Sequence, residues 1–319
     1  MRAAEIRDLG APPVVADRPV PEPEPGGGAV PVTVLAGPIT PLDLLCASGT
    51  SYLGTPATPY VPGVQGVGRA GGRLVWFPTT AGTAAGDGSM AGVALAVAED
   101  VVELPAPVDP VAVAAAGLSA VAALQALTAT GGLTAGETVV VLGAGGVVGQ
   151  AAIQLARAQG AARVVAAARS VAARERAGKA GPDAVVGIDD ADPDALTGAL
   201  RQAAGGPVDL VLDPLFGPPA AAAARALRPG GRLVHLGSAA GETIPLDSGT
   251  IRGRSLRLLG YTNLALTRAE RAAAISRVAA AVADGSLRVD HESVPLDDAA
   301  AAWERQAAGR ARGRIVLTP

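Results

Sequence analysis

The sequence predicts an α/β fold, a doubly wound parallel sheet domain plus a β-rich domain. Three observations carry that expectation. After Val111, short valine-rich runs alternate with alanine-rich helical stretches. A glycine turn, Gly143-Ala144-Gly145-Gly146, joins the first of these runs to the first helix. Before Pro110 the texture differs: Gly, Pro, Val and Thr dominate, with short apolar runs between turn signals.

The elements follow in chain order. In Met1–Pro110, "AVPVTVLAG" and "GRLVWF" read as strands, and "PVPEPEPGGG" as a surface loop. The apolar run Val111–Ala129 is interrupted by Gly117, Ser119, Gln125 and Thr128, so it reads as a buried helix and not a membrane span. Strands are expected at Thr138–Leu142, Arg163–Ala167, Ala184–Ile188, Val208–Leu212, Arg232–Leu236 and Ser255–Leu259. Helices are expected at Gly146–Gln159, Val171–Ala180, Pro193–Ala204, Pro218–Leu227 and Arg268–Asp284. Near-continuous apolar strands between helices indicate a sheet covered on both faces. The segment His291–Pro319 returns to a strand–helix–strand texture and is expected to rejoin the first domain. The sixth strand, "SLRLLG", is expected at the sheet edge. An apolar edge invites pairing with a second copy, hence a homodimer.

Composition narrows the function. The chain has 319 residues, enough for two domains. It is 49% hydrophobic with only 2% aromatics, so the core is expected to be built from Ala, Val and Leu. Net charge is −3, which offers no basic footprint for nucleic acid or an anionic membrane. The stretch "MRAAEIRDLG" lacks the apolar core of a signal peptide, so a cytoplasmic protein is expected. Cys46 is the only cysteine, which excludes an intrachain disulfide and a multi-cysteine zinc site. It reads as a small buried hydrophobe, and His235 and His291 read as structural.

The glycine turn is the strongest chemical signal. The strict G-x-G-x-x-G spacing fails, but the frame Ala144-x-Gly146-x-x-Gly149 fits. Gly146 would let the backbone approach a pyrophosphate, and Gly149 would let the helix pack on the strand. Gly145, Val147 and Val148 complete the turn, whose N–H groups and helix dipole favour phosphate. NAD sites place an acid roughly 20 residues on. Here the second strand ends in Arg169 and Ser170, followed by Arg174. Guanidinium and hydroxyl groups suit a 2′-phosphate, so NADPH is expected over NADH. Arg169 as a solvated arginine and Arg174 as a helix-surface charge are the plainer readings.

Several motifs together resemble the medium-chain dehydrogenase/reductase superfamily, in its zinc-free quinone oxidoreductase (zeta-crystallin-like) branch. They are "AGPITPLDLLCASG", "PYVPGVQGVG", "AAAGLSAVAAL", the A-x-G-x-x-G turn with "ARS", "LRPGGRLVHLGS" and "GRARGRIVLTP". The resemblance implies a Rossmann domain over residues 113–263 and a GroES-like catalytic domain from 1–112 and 264–319. It implies Tyr52 and Thr40 near the reacting groups, with Ser119, Gly237, Ser238 and Tyr261 around the cofactor. Asp43 is expected to cap or position the helix after Pro41. Loop packing for Tyr52 and a turn hydroxyl for Thr40 stand beside these roles. The zinc-ligand positions of metal-dependent relatives fall at Ile39 or Thr40 and at Val64-Gln65, leaving no ligand set.

The implied activity is metal-free hydride transfer from NADPH to a quinone or α,β-unsaturated carbonyl. A tailoring enzyme such as an enoyl reductase, or a nucleotide-binding sensor without catalysis, are the alternatives. The chain departs from the family's pattern at Gln65, where an acid is usual, and at Thr40, where Asn is usual. The region after Gly68 is shortened. Asp189 and Asp190 follow the third strand, near the place of an aromatic, and oppose a phosphate.

Overall fold

A computed structural model describes residues 1–51, 53–189 and 192–319. The chain divides into two units, Met1–Gly117 with Arg268–Gly285 and Val289–Pro319, and Leu118–Thr267 with Ser286–Arg288. In chain order, the first part holds β1 (Arg2–Glu5), β2 (Val14–Asp17), β3 (Ala29–Pro38), α1 (Pro41–Ala47), β4 (Gln65–Ala70), β5 (Arg73–Pro78), β6 (Val93–Val97) and β7 (Val102–Glu103). The helix α2 (Pro110–Gln125) follows. Next come β8 (Thr138–Leu142), α3 (Val147–Ala158), β9 (Arg163–Ala168), α4 (Val171–Lys179), β10 (Ala184–Gly187) and α5 (Pro193–Ala204). Then come β11 (Val208–Asp213), α6 (Gly217–Ala226), β12 (Leu227–His235), α7 (Ser248–Gly253) and β13 (Arg257–Gly260). The chain closes with α8 (Arg268–Ala283), β14 (His291–Pro295), α9 (Ala299–Ala307) and β15 (Arg314–Thr318).

In the first unit, β1 and β2 pair antiparallel by themselves, and a larger sheet is ordered β14-β15-β3-β4-β5-β7, with β6 also paired to β3. The returning C-terminal piece enters this sheet, where β15 runs antiparallel to β3 through Val316↔Pro38 and Leu317↔Gly37. Glycines set the close approaches. A Cβ on Gly68 would lie 2.3 Å from the Thr33 carbonyl oxygen, which explains a bare residue in mid-strand. Arg268 and Arg271 at the start of α8 pair with Asp100, tying the helix to the β-rich part. Those two guanidiniums hold the Asp100 carboxyl below its usual range against the opposing desolvation.

In the second unit, the sheet order is β10-β9-β8-β11-β12-β13. Every pairing is parallel. Val139–Leu142, Val164–Ala167 and Leu210–Leu212 are all 0% exposed, as a sheet covered on both faces requires. The alanine run Ala220–Ala224 on α6 is equally buried and lets that helix lie close on the sheet. Pro193 at the first position of α5 and Asp192, which accepts from Asp194 N and Ala195 N, start that helix as its sequence suggests. Leu196 and Leu200 carry it into the core with Val140, Val165, Val211 and Leu233.

The doubly wound α/β expectation holds. Thr138–Leu142 and Pro193–Ala204 are found with the expected bounds. Three details differ by more than one or two residues at an element's end. Strand β12 starts at Leu227, because Leu227 pairs with Val208 before an irregularity that the Pro229-Gly230-Gly231 turn signal conceals. The helix α7 falls where the sequence suggests no element; Asp247 caps it by accepting from Thr250 N at 2.7 Å. The apolar run after Pro110 is broken at Gly117, with φ 31 and ψ −135, and ends in a π-helical turn at Ala126–Thr130. The helical stretch Pro110–Thr130 is long and apolar enough to cross a membrane, but 67% of its most apolar window is buried inside the protein.

Candidate functional site

The turn after β8 comes first. Gly143 takes φ 59, and Ala144 N donates to Ala167 O at 3.0 Å, anchoring the turn to β9. Gly146 is the N-cap of α3 and supplies no side-chain cap. The first-turn N–H groups, on Val147, Val148 and Gly149, are therefore available to an anion. A Cβ on Gly149 would lie 2.5 Å from Ala144 Cα and 2.6 Å from Gly143 O. Gly149 thus lets α3 press on the turn. At Gly146 a Cβ would meet only Gly143 O, at 3.4 Å, so packing does not demand glycine there. Gly145 is different: its Cβ would strike Ala173 O at 2.5 Å and Ala173 Cβ at 2.6 Å, so it admits α4. Its carbonyl accepts from Gln150 Nε2 and Arg176 Nε, each at 3.1 Å. Sequence reasoning singles out neither donor. Gln150 adjoins the motif and could have been found there; Arg176, on another helix, carries no local signal.

Beside the turn lie the carboxyl ends of β9 and β10. Ser170 caps α4, accepting from Ala173 N at 3.2 Å, which leaves its hydroxyl proton to donate outward. Arg169 is exposed. Arg174 donates through Nη1 to Arg169 O at 2.8 Å and to Asp189 Oδ1 at 2.9 Å. Gly187, opposite Ala168 in register, lies beneath that pair; its Cβ would be 2.7 Å from both Arg174 Nη1 and Asp189 Oδ1. Arg174 is therefore not the free surface charge of its plainer reading. Asp190 lies outside the described residues.

The other half of the sheet ends in a second polar group. Asp213, fully buried, accepts from Leu215 N and Phe216 N and lies 3.3 Å from His235 Nδ1. Burial pushes its carboxyl up, opposed by those N–H groups and His235. Phe216 holds φ 57 and its ring lies 4.2 Å from that of His235. His235 thus has a specific partner that its strand position did not reveal. Gly237 lies against Pro214, where a Cβ would be 3.1 Å from the carbonyl oxygen. Ser238 Oγ donates to Glu242, and Tyr261 OH donates to Asn263 Oδ1 at 2.6 Å. Asn263 Nδ2 in turn donates to Leu118 O, one residue before Ser119. Asn263, a residue the sequence did not single out, thus links Tyr261 to the main chain at Leu118.

In the first unit, Thr40 caps α1 in a reciprocal box with Asp43. Its hydroxyl donates to Asp43 Oδ2 at 2.6 Å, so that proton is committed. That bond is the turn hydroxyl of the plainer reading of Thr40. Asp43 Oδ1 accepts from Gly63 N and Val64 N at 3.0 and 2.9 Å. Burial pushes the Asp43 carboxyl up, against four hydrogen bonds that favour its charge. Burial also pulls the Arg314 guanidinium down to about 10, opposed by the Asp43 charge. Gln65 accepts from Trp76 Nε1 at 2.9 Å, and its amide lies against Gly117, where a Cβ would be 2.3 Å from Oε1. That contact explains the break in α2. Cys46 is 1% exposed, and burial raises its thiol. Tyr52 lies outside the described residues. Among the described residues, no group of three or more His, Cys, Asp or Glu side chains is arranged to hold a metal ion.

A family model described as zinc-binding dehydrogenase matches residues 180–317. The chain is 36% identical over 167 residues to a quinone oxidoreductase of Lama guanicoe, and 34% over 173 residues to the quinone oxidoreductase of Homo sapiens. The chain spans about half the length of these curated relatives, 50% of each. It is also 30% identical over 314 residues to a phenolphthiocerol/phthiocerol polyketide synthase component of Mycobacterium tuberculosis, which is 92% of this chain and 14% of that protein. The quinone oxidoreductase of Thermus thermophilus, solved alone and with NADPH, is 29% identical with a TM-score of 0.82, covering 100% of both chains. An NAD-dependent alcohol dehydrogenase is 26% identical with a TM-score of 0.86, again over 100% of both.

Proposed function

The chain belongs to the medium-chain dehydrogenase/reductase superfamily, in its quinone oxidoreductase branch, and on that premise we propose that it is an NADPH-dependent reductase of quinones or α,β-unsaturated carbonyls. The observation that carries this reading is the uncapped start of α3, folded tightly over Gly143–Gly146 and flanked by Arg169, Ser170 and Arg174. Bound NADPH supplies the hydride.

The chain's own groups have these roles. The N–H groups of Val147, Val148 and Gly149 hold the pyrophosphate, and Gly146 leaves room for its approach. The Ser170 hydroxyl and the guanidiniums of Arg169 and Arg174 hold the 2′-phosphate. Gly237, Ser238 and Tyr261, at the carboxyl ends of the other strands, and Ser119 on α2 bound the nicotinamide half. Tyr52 is assigned to the acceptor. No metal is needed in this reading, because a conjugated acceptor delocalises the charge that arrives with hydride. The donor set agrees: Thr40 is bonded to Asp43 and Gln65 is an amide bonded to Trp76, a poor pair for zinc. A cytoplasmic setting is part of the proposal.

The 314-residue match to a polyketide synthase favours a second reading, reduction of an enoyl thioester. One panel separates the possibilities. Purified protein is expected to bind NADPH and to oxidise it on addition of a naphthoquinone or a cyclic enone. Turnover with a crotonyl thioester alone would select the second reading. Binding without any oxidation would leave only the nucleotide-binding sensor.

We also propose pairing of two copies through β13. It is an edge strand of its sheet, and Leu258 on it is 43% exposed. Sedimentation velocity at several concentrations is expected to give a dimer, and Leu258→Lys to shift it toward monomer. A wild-type monomer throughout would refute this.

A further inference from the structure

We propose that Asp189 makes the ribose pocket tolerant of both NADPH and NADH, by giving Arg174 a counter-ion that a 2′-phosphate must displace. This rests on the nucleotide-binding reading above and concerns only how the adenosine ribose is read.

The usual acid at the end of the second strand is absent, and Arg169 and Ser170 stand there instead. Structure returns an acid to the same place from the neighbouring strand. Gly187 of β10 pairs with Ala168 of β9, and Ile188 N donates to Ala168 O at 3.3 Å. Two residues past Gly187, Asp189 therefore emerges where Arg174 meets the Arg169 main chain. It does not point away: Oδ1 accepts from Arg174 Nη1 at 2.9 Å, and the same nitrogen reaches Arg169 O at 2.8 Å. Gly187 makes this possible, since any Cβ would meet both charged groups at 2.7 Å.

The consequence is a site with two settings. With a 2′-hydroxyl, Asp189 can accept the ribose proton, and its charge stays neutralised by Arg174. With a 2′-phosphate, Arg174 must turn from Asp189 to the ligand, and the carboxylate then faces a like charge at short range. The Asp189 side chain is 54% exposed, so water and salt screen that repulsion and NADPH is still accepted. Arg169 and Ser170 favour NADPH, Asp189 opposes them, and the net preference is small.

The test uses the full-length protein and the intrinsic fluorescence of NADPH and NADH, titrated at fixed ionic strength. The wild type is expected to bind NADPH no more than about 10-fold tighter than NADH, the scale of one screened charge near a surface. Asp189→Asn is expected to tighten NADPH by about 5–10-fold while leaving NADH level or weaker, so that the ratio widens. Arg169→Ala is expected to narrow it. Equal shifts for both nucleotides in Asp189→Asn, or a wild-type ratio above about 100, would overturn the inference alone. Failure of the wild type to bind either nucleotide would overturn the nucleotide reading as well. Asp189→Ala provides a second variant, with the same expected direction for the ratio.

Discussion

Asp43→Ala is expected to lower the unfolding free energy by about 3–5 kcal/mol, the range for removing one partner from a buried charged network. The carboxylate is 2% exposed and organises two separate pieces of chain. One oxygen receives Thr40 N at 2.8 Å and Thr40 Oγ1 at 2.6 Å, which starts α1. The other receives Gly63 N and Val64 N, which fixes the segment leading into β4. Gly63 itself sits at φ 118 with no room for a Cβ, 2.5 Å from Ser89 Oγ, so that backbone cannot turn to find new partners. Alanine would leave buried N–H groups unsatisfied, each costing about 1–3 kcal/mol. It would also remove the charge that favours the cationic form of Arg314, itself fully buried. Denaturant unfolding with an unchanged m-value is the measurement. Asp43→Asn keeps one acceptor oxygen and is expected to fall between wild type and alanine. A loss below about 1 kcal/mol for alanine would mean that water replaces the carboxylate.

The residues that were legible in the sequence share one property: their partners are close along the chain. The run TVVVL, the Pro193 start of α5, and the Thr40–Asp43 box all declare themselves within a few positions. The frame Ala144-x-Gly146-x-x-Gly149 is local too, and the close contact of Gly149 with Ala144 is the packing that its spacing implies. What stayed hidden depends on residues that only folding brings together. Gly145 looks like a phosphate-turn glycine, yet its bare Cα makes room for Ala173 on α4. Gly117 looks like an interruption of a helix, yet it is a cradle for the Gln65 amide. Arg174 reads as a helix-surface charge until β10 delivers Asp189 to it. Thr40 is readable as a cap and also as a ligand for an acceptor. In the folded chain its hydroxyl turns toward Asp43, as a cap does.

Gly149→Val is expected to abolish measurable NADPH binding, a loss of at least about 100-fold, and to destabilise the protein by about 3 kcal/mol. The steric argument comes from what the new Cβ would meet. Its neighbours are Ala144 Cα at 2.5 Å, Gly143 O at 2.6 Å and Ala144 C at 2.8 Å, all main-chain atoms of the turn. No flexible side chain can yield, so either α3 lifts from β8 or the turn unwinds. The turn is held by Ala144 N on Ala167 O and by two side chains on Gly145 O, so lifting the helix is the easier path. That displaces the N–H groups of Val147 and Val148 from the positions that would receive the pyrophosphate. Gly146→Ala separates ligand binding from packing. Its Cβ would meet nothing closer than Gly143 O at 3.4 Å, so thermal unfolding is expected to change little. If the pyrophosphate approaches over Gly146, the same methyl group obstructs it, and NADPH affinity drops while Tm holds. Circular dichroism melts and NADPH titrations on both variants read these two effects apart. Wild-type NADPH affinity in Gly146→Ala would place the phosphates elsewhere on the turn. Wild-type Tm in Gly149→Val would show that α3 moves without cost.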